Sequence, residues 1–513
     1  MRAMLLYDVA SASSAVGATP SRLAKREILV QVLTRADPDD IEIVVAYLAG
    51  ELRQRRTGVG WATLGSLPEP AEKPSLTVAE VDAEFQSMST LSGPGSASKR
   101  ADAVRRLFTR ATQPEQRLLR GLVSGDVRQG ALDAAMLDAV AAASEVPLTA
   151  VRRAAMLRGA TGPVARAALT QGVAAVEAFG LAVGRPVRPM LAASAPDVET
   201  ALARSGVPAS LDVKLDGVRI QVHQSGDEVR IFTRSLDDIT ARLPEVCAVA
   251  RSLGTQALIL DGEVMTLDSR GRPRPFQETA SRTATHVGPD AAAGPAGDVA
   301  PFFFDILHVD GVDLIDTPLS KRLARLDDLL PARYRIARLT TDDPAAAGRF
   351  FAEAVGAGQE GVVVKALDSP YDAGRRGAAW VKVKPRHTLD LVVLAVEWGS
   401  GRRQGSLSNI HLGARDPGSD GFVMLGKTFK GMTDAMLTWQ TARFLELEES
   451  RSAHVVRLRP EQVVEVAFDG LQRSTRYPSG LALRFARVVR YRVDKTAAEA
   501  DTIETVRGLA APS

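Results

Sequence analysis

Cysteine is almost absent from the 513-residue chain, which has one, Cys247. A single cysteine excludes a disulfide framework and any zinc site built from several cysteines, and we expect Cys247 to pack within a helix. Long hydrophobic runs are missing too, since no stretch approaches the ~18 consecutive apolar residues that a membrane span requires. Because the N-terminal residues also lack the apolar core of a signal peptide, we expect a soluble cytoplasmic protein.

Two further features are scarce or absent, net charge and the glycine-rich nucleotide motifs. The 64 basic and 61 acidic residues leave a net charge of only +3, so any surface that binds nucleic acid must be local. The sequence has neither a Gly-rich loop ending in Gly-Lys-Ser/Thr nor the glycine fingerprint of dinucleotide-binding folds. A nucleotide site would therefore be built from side chains on a sheet, and not from a loop at a helix N-terminus.

The chain is long enough for about three domains, and its residue patterns divide it into three parts. Residues 1–183 show helical periodicity throughout, with recurring basic residues, and predict an all-α domain. In residues 184–388 apolar runs typical of buried strands alternate with helices, which predicts an α+β domain. Residues 389–513 are mostly β apart from a helix within 433–448, and a small β-barrel of the OB type fits them.

The stretch LDVKLDGVRIQVH, residues 211–223, carries the most informative pattern. Alternation places apolar residues on one face and Asp212, Lys214 and Asp216 on the other, which predicts a half-buried strand. The alternation slips by one residue after Gly217, so we expect a bulge or a tight bend there. Beyond that glycine, Arg219 is expected to rejoin the polar face. The next apolar run follows through a short turn and predicts a β-hairpin.

Charged residues also lie beside other apolar strands of the middle part. They are Glu263, Glu360, Lys365, Lys382 and Lys384. Lysines and arginines can neutralise a polyphosphate, and two carboxylates can hold a hard divalent cation, for which we expect Mg²⁺. An aromatic ring such as that of Phe304 can stack on a base. Lys214 becomes a nucleophile once it is deprotonated, and its attack on the α-phosphate of a nucleotide would expel pyrophosphate.

These motifs, in this order, resemble those of the ATP-dependent DNA ligases, members of the covalent lysine nucleotidyltransferase superfamily. KLDGVR, residues 214–219, is similar to the family signature Lys-x-Asp-Gly-x-Arg, which implies that Lys214 is the adenylated nucleophile. The resemblance gives Asp212 a contact with adenine, at a position where many relatives have glutamate. FFFDILHVDG, residues 302–311, resembles the aromatic motif and implies that Phe304 stacks on adenine, with Phe303 as the alternative.

The resemblance also implies roles for charged residues elsewhere in the chain. Those that bind the nucleotide are Arg219, Arg234, Glu263, Arg376, Lys382 and Lys384. Glu263 and Glu360 are the expected metal ligands, for Mg²⁺ or Mn²⁺. The motif in residues 479–495 supplies two residues that orient the pyrophosphate leaving group. They are Arg492 and Lys495, and the neighbouring arginines of the motif remain alternatives.

The resemblance covers the whole chain and implies a helical DNA-binding domain, an adenylation domain and an OB-fold domain. It implies that ATP is a substrate and that a monomer encircles nicked double-stranded DNA, contacting the backbone more than the bases. The reaction would pass through lysine–AMP and DNA–adenylate intermediates. Recruitment by a sliding clamp, and the choice between repair and replication, stay open.

Four alternatives are weaker. RNA ligases and mRNA capping enzymes would lack the helical N-terminal part. An NAD-dependent ligase would bring a four-cysteine zinc module, which a single cysteine excludes. A non-catalytic, ligase-like clamp would bind nicks without sealing them, and the intact set of charged residues around Lys214 argues against it.

Overall fold

The computed structural model describes residues 3–54, 57–65, 67–125, 127, 132–269, 273–274, 276–283, 298–373, 376–400, 403–419 and 421–509. In these ranges no helix has both the length and the apolar character needed to cross a bilayer. We call residues 3–183 the helical region, 184–388 the middle region and 389–509 the C-terminal region.

The helical region consists, where described, of helices and the segments that connect them. They are α1 (Leu6–Ala18), α2 (Arg22–Leu33), α3 (Ile41–Leu48), α4 (Trp61–Leu64), α5 (Val78–Thr90), α6 (Ser96–Arg110), α7 (Gln113–Ser124), α8 (Leu132–Ser144), α9 (Leu148–Arg158), α10 (Thr161–Gln171) and α11 (Val173–Glu177). Residues at the helix ends satisfy the free backbone N–H groups: Thr77 and Glu80 form a capping box at the start of α5. The apolar helix faces form one core that includes Leu29, Tyr47 and Phe85.

The middle region alternates strands and helices, as the sequence predicts. Its elements are β1 (Leu191–Ser194), α12 (Val198–Ser205), β2 (Ala209–Lys214), β3 (Val218–Ser225), β4 (Glu228–Thr233), α13 (Pro244–Arg251), β5 (Ala257–Leu267), α14 (Phe276–Thr283), β6 (Asp298–Val309), β7 (Val312–Asp313), α15 (Leu319–Leu329), β8 (Arg338–Thr341), α16 (Pro344–Gly356), β9 (Gly361–Ala366) and β10 (Arg376–Val383). The predicted hairpin is confirmed as the antiparallel pair β3–β4, and Cys247 lies buried in α13.

Two five-stranded sheets make up the middle region. The first sheet has the order β1-β10-β9-β2-β8, and the second has the order β4-β3-β5-β6-β7. Of the two predictions for Gly217, a bulge or a tight bend, the bulge within one continuous strand is wrong, because β2 belongs to the first sheet and β3 to the second. The apparent slip in alternation is the point where the chain crosses between sheets. The expectation of a half-buried strand is wrong as well, since Ala209–Val213 are all buried.

The helical region packs directly onto the middle region through the end of α9. Met156 and Leu157 are part of the apolar core beneath the first sheet. Two bonds of 2.6 Å join the guanidinium of Arg153 to the carboxylate of Asp316. The Met156 carbonyl accepts a hydrogen bond from the Arg188 N–H at 3.0 Å, in the segment that precedes β1.

The C-terminal region is mostly β. Its elements are β11 (His387–Trp398), β12 (Leu407–Arg415), β13 (Phe422–Thr428), α17 (Asp434–Glu446), β14 (Glu448–Arg451), β15 (Val455–Leu458), β16 (Val463–Phe468), β17 (Gly470–Arg473), β18 (Leu481–Arg484), β19 (Arg487–Arg492) and α18 (Ile503–Gly508). The helix predicted within 433–448 is confirmed as α17.

The predicted barrel does not close in the described strands. Seven strands form a sheet with the path β13-β12-β11-β15-β14, and β16 joins it by pairing with β11 and β19. The long strand β11 pairs with β12 along one edge, and its other edge is shared between β16 and β15. The sheet therefore branches at β11, and no ladder among these residues connects β13 to β14 or to β19. The strands β17 and β18 form a separate hairpin.

Candidate active site

The crossing between the two sheets forms the centre of the site. Lys214 is the last residue of β2, and β3 begins four residues later, at Val218. At Gly217 a Cβ atom would lie 2.5 Å from the Val264 carbonyl oxygen of β5, so only glycine fits there. The Gly217 N–H donates a 2.9 Å hydrogen bond to the carboxylate of Glu263. The crossing thus places the end of β2, in the first sheet, against β5 of the second sheet, the strand that carries Glu263.

Each charged residue of this stretch has its own partner of opposite charge. The pairs are Asp212–Lys365, Lys214–Glu360, Asp216–Arg484 and Arg219–Asp261. The expected single polar face is therefore wrong in its geometry, because the four side chains diverge on both sides of the crossing. They nevertheless all lie within eight residues of one another in the chain, at the crossing between the two sheets.

Lys214 and Lys384 share one carboxylate. Glu360 pairs through one oxygen with Lys214 Nζ and through the other with Lys384 Nζ. A backbone bond of 3.0 Å from the Glu360 N–H to the Lys214 carbonyl fixes the two residues side by side. Burial opposes the charged form of Lys384, but its bonds to Glu360 and Asp469 outweigh burial and raise its pKa. The carboxylate thus keeps two cations next to each other.

Glu263 is the second carboxylate at the crossing. Burial raises its pKa to about 7, even though Lys214, the Gly217 N–H and Arg219 all favour its charged form. A carboxylate so deprived of water gains from a cation that neutralises it. Glu263 and Glu360 together offer the hard oxygen donors that Mg²⁺ takes from proteins, usually with substrate phosphates completing its shell. The described residues contain no group of three or more acidic, histidine or cysteine ligands, so no all-protein cage competes with that arrangement.

Arg219 is held in a buried network that sequence reasoning did not find. Its guanidinium makes two bonds to Asp261, of 3.0 and 2.6 Å, and donates to the Met190 carbonyl at 2.6 Å. The Tyr371 hydroxyl donates to the same Asp261 at 2.7 Å and accepts from the Met190 N–H at 3.1 Å. Asp261 stands two residues before Glu263 in the motif LDGE, which was the signal available for it.

An aromatic wall lies on the Asp212 side of the crossing. Phe304 and Trp380 meet edge to face, with ring centroids 5.8 Å apart, and Lys365 Nζ lies 4.5 and 4.3 Å from the two centroids. Phe303 belongs instead to the core on the other face of the second sheet, so Phe304 is the ring of the two that contacts Trp380 and Lys365. The buried Trp380 Nε1 has no hydrogen-bond partner in the described part of the chain.

Asp212 is less accessible than a base-contacting residue would be. It is 1 % exposed, lies 2.5 Å from Lys365 Nζ and accepts a 2.9 Å bond from the Ser210 hydroxyl. Its carboxylate is therefore engaged within the fold by Lys365 and Ser210. The sequence placed Lys365 beside a buried strand but gave it no role.

The remaining predicted residues of the middle region are Arg234, Arg376 and Lys382. Arg234 is exposed in the turn after β4. Lys382 lies in β10 opposite Val363 of β9 and Ser194 of β1. Arg376 begins β10, but its side chain lies outside the described residues. Lys384, two residues after Lys382, lies directly beside the Lys214–Glu360 pair.

Arg492 and Lys495 are not at the crossing. Both bind Asp390 of the C-terminal region, at 2.8 and 2.7 Å. The residues of the C-terminal region that do reach the crossing are Asp469, which lies 3.2 Å from Lys384, and Arg484, which bonds to Asp216 at 2.5 and 3.2 Å. Sequence reasoning missed Asp469, although it directly follows the apolar strand β16.

Comparisons with known proteins cover all three regions. Family models described as "DNA ligase N terminus", "ATP dependent DNA ligase domain" and "ATP dependent DNA ligase C terminal region" match residues 65–141, 189–384 and 403–495. A "Probable DNA ligase" of Beutenbergia cavernae is 67% identical over 99% of this chain and 100% of the relative. One of Kineococcus radiotolerans is 62% identical with the same coverage. The solved structure of Pmar-Lig_PreS3 shares the fold, with a TM-score of 0.62 and 19% identity over 94% of this chain and 99% of that one.

Proposed function

The chain belongs to the family of ATP-dependent DNA ligases, and we propose that it seals nicks in double-stranded DNA through a lysine–AMP intermediate on Lys214. The observation that carries the assignment to Lys214 is its position at the crossing between the two sheets, paired with Glu360 and facing Glu263. The domains of this ligase would be residues 1–183 for DNA binding, 184–388 for adenylation and 389–513 for an OB-type fold.

In the first step the Lys214 amine attacks the α-phosphorus of ATP. A nitrogen–phosphorus bond forms, the bond to the β-phosphate oxygen breaks, and pyrophosphate leaves. The ammonium must first lose a proton, and Glu360 is the carboxylate in contact with it. Lys384, on the other oxygen of Glu360, is placed to neutralise the α-phosphate. The aromatic wall of Phe304 and Trp380 would receive the adenine.

Glu263 and Glu360 fit a divalent cation, Mg²⁺ or Mn²⁺, because both are carboxylates at the crossing and the desolvated Glu263 gains from a neutralising charge. When bound, the cation would neutralise charge on the phosphate oxygens. Independently of it, the burial of Arg219 between Asp261, Tyr371 and Met190 fixes a cation at one wall of the pocket.

The two later steps act on DNA. An oxygen of the 5′-phosphate at the nick attacks the phosphorus of the lysine adduct, which frees Lys214 and forms a DNA–adenylate. The 3′-hydroxyl then attacks the 5′-phosphate, a phosphodiester bond forms and AMP leaves. We propose that the arrangement described above serves these DNA steps, because Asp390 holds Arg492 and Lys495 away from Lys214. For the ATP step the C-terminal region would rotate and bring the two cations to the pyrophosphate.

The proposed partner is nicked duplex DNA, encircled by a monomer in the cytoplasm, and sealing would serve replication, repair and recombination. A nick-sealing assay tests this directly. DNA and RNA nicks are offered with either ATP or NAD, in Mg²⁺ or Mn²⁺. We expect sealing of the DNA nick with ATP, and none by Lys214→Ala. Sealing with NAD alone, or of RNA nicks only, would contradict the proposal.

A further inference from the structure

A cleft of about 730 Å³ lies where the middle and C-terminal regions meet, away from Lys214. We call it the seam cleft. It is lined chiefly by Gln277, Arg473, Ser474, Thr475, Ser479 and Arg507. Gln277 comes from α14, Arg473 ends β17, the three hydroxyl residues belong to the turn between β17 and β18, and Arg507 lies in α18.

The two arginines of the seam cleft lack the partners that their neighbours have. Arg484, Arg487 and Arg490, which follow on β18 and β19, are each bound to a carboxylate. Arg473 and Arg507 are exposed, and neither has an acidic partner in the described part of the chain. No aspartate or glutamate is among the residues that line the cleft. Two unpaired guanidinium groups beside hydroxyls and an amide form a site for an anion with several acceptor oxygens.

The walls of the seam cleft are already ordered. The turn between β17 and β18 is closed by a bond of 2.9 Å from the Ser474 N–H to the Gly480 carbonyl and one of 3.0 Å from the Gly480 N–H to the Tyr477 carbonyl. Gly480 has a φ of +71°, which favours glycine. The Gln277 amide donates to the Arg473 carbonyl at 3.3 Å and ties the two regions together. An incoming anion would meet these groups without first ordering the chain.

We propose that the seam cleft binds a phosphate group of the DNA backbone, at a distance from the nick. The groups that line it would contact phosphate oxygens and no base edge, so the contact would strengthen binding to any sequence. Because its walls come from both regions, a phosphate bound there would also stabilise the arrangement in which Asp469 reaches Lys384. This inference rests on the proposed ligase activity and names a part of the DNA-binding surface.

Arginine-to-alanine variants of the full-length protein test the seam cleft. Arg473→Ala and Arg507→Ala each remove one guanidinium, and Arg476→Ala is the matched control, because Arg476 is exposed in the same turn but does not line the cleft. The bond from Gln277 goes to the backbone of Arg473 and survives the change. Binding to a nicked duplex with a 3′-dideoxy end is measured as a function of salt concentration, and thermal unfolding verifies folding.

We expect each variant to lower the slope of log affinity against log salt by about one, and to weaken binding at ~0.1 M salt roughly five- to tenfold. The control should bind as the wild type does, and all variants should self-adenylate at the wild-type rate. An unchanged slope in the Arg473→Ala, Arg507→Ala double variant would overturn the proposal. If pyrophosphate inhibition of self-adenylation changes instead, the cleft holds a free phosphate ligand and the assignment to DNA is wrong. Failure of the wild type to seal nicks would refute the ligase activity, a result distinct from either.

Discussion

Asp469 Oδ2 lies 3.2 Å from Lys384 Nζ, and this ion pair joins the C-terminal region to the pocket of the nucleophile. Lys384 is bound in turn to Glu360, and Glu360 to Lys214. Burial works against the charged form of Asp469, but Lys384 and Arg487 outweigh it and lower its pKa. A chain of alternating charges therefore runs from the C-terminal region to Lys214.

We expect Asp469→Asn to affect the first and last steps in opposite directions. Loss of the carboxylate frees Lys384 for the α-phosphate of ATP, so self-adenylation should be at least as fast as in the wild type. It also weakens the arrangement proposed for DNA, so sealing of a pre-adenylated nick should slow about tenfold, equivalent to ~1.4 kcal/mol. Single-turnover kinetics of the two reactions measure both effects. The control is Asp434→Asn, at an exposed position of α17, and equal slowing of both reactions would refute this role for Asp469.

Gly217→Ala should abolish self-adenylation. The added Cβ would lie 2.5 Å from the Val264 carbonyl oxygen, a backbone atom that cannot move aside without displacing β5. Displacement of β5 separates Glu263 from Lys214, and we expect at least a hundredfold loss in the rate of lysine–AMP formation. Gly348→Ala is the control, since a Cβ there meets no atom within 4 Å. A variant with the wild-type rate would show that the close approach does not position the site.

Tyr371→Phe tests the network that holds Arg219. The substitution removes the hydroxyl that bridges Asp261 and the Met190 N–H, at 2.7 and 3.1 Å, and leaves a buried donor unpaired, at a cost of about 1–3 kcal/mol. Because Tyr371 would act through Arg219, the KM for ATP should rise several-fold while kcat changes less. Steady-state nick sealing at varied ATP concentration measures the split, with the surface variant Tyr7→Phe for comparison. A fall in stability with an unchanged KM would limit Tyr371 to a structural role.

The stability of the C-terminal region should depend on pH through Glu397. Burial alone would raise the pKa of Glu397, but hydrogen bonds from Lys427, Asn409 and His411 outweigh it and lower the pKa to about 2. A folded-state pKa below the unfolded value of 4.5 means that ionised Glu397 stabilises the fold above about pH 4.5, and that this stabilisation is lost as the pH falls towards 2.

Chemical unfolding of the wild type and Glu397→Gln at pH 7 and pH 3 measures this contribution. The variant should be less stable by about 1–3 kcal/mol at pH 7, and the difference should shrink at pH 3. Glu461→Gln, whose ion pair with Arg459 is half exposed, should show little difference at either pH. A difference between wild type and Glu397→Gln that stays constant with pH would contradict the assignment.

Local sequence patterns predicted the β3–β4 hairpin and helix α17, and the motifs named Lys214, Glu263, Glu360 and Lys384, which the structure places at the crossing. The features that these patterns could not predict depend on strands and side chains that pair across long stretches of the sequence. The alternation around Gly217 shows a slip, but the partners of β2 and β3 lie far along the chain, so the change of sheet is invisible locally. The burial of Asp212 depends likewise on Lys365, more than 150 residues away.

In the C-terminal region, too, local sequence patterns could not predict how distant parts of the chain pair. Its strands were recognisable, but the branching of the sheet at β11 depends on which strands share an edge. The motif that ends in Lys495 gave no sign that Asp390, about a hundred residues earlier, binds its cations. Domain arrangement adds interactions, such as Asp469 with Lys384, that no single motif contains.

The central claim is that Lys214 carries the nucleotide, and covalent labelling with ATP labelled in the α-phosphate tests it most directly. After incubation with Mg²⁺ or Mn²⁺, the wild type should hold a denaturant-resistant, acid-labile label that maps to the peptide containing Lys214. Lys214→Arg keeps the charge opposite Glu360 but removes the nucleophilic amine, and it should take up none. Absence of label from the wild type with both metals, or label of wild-type intensity on Lys214→Arg, would contradict the account.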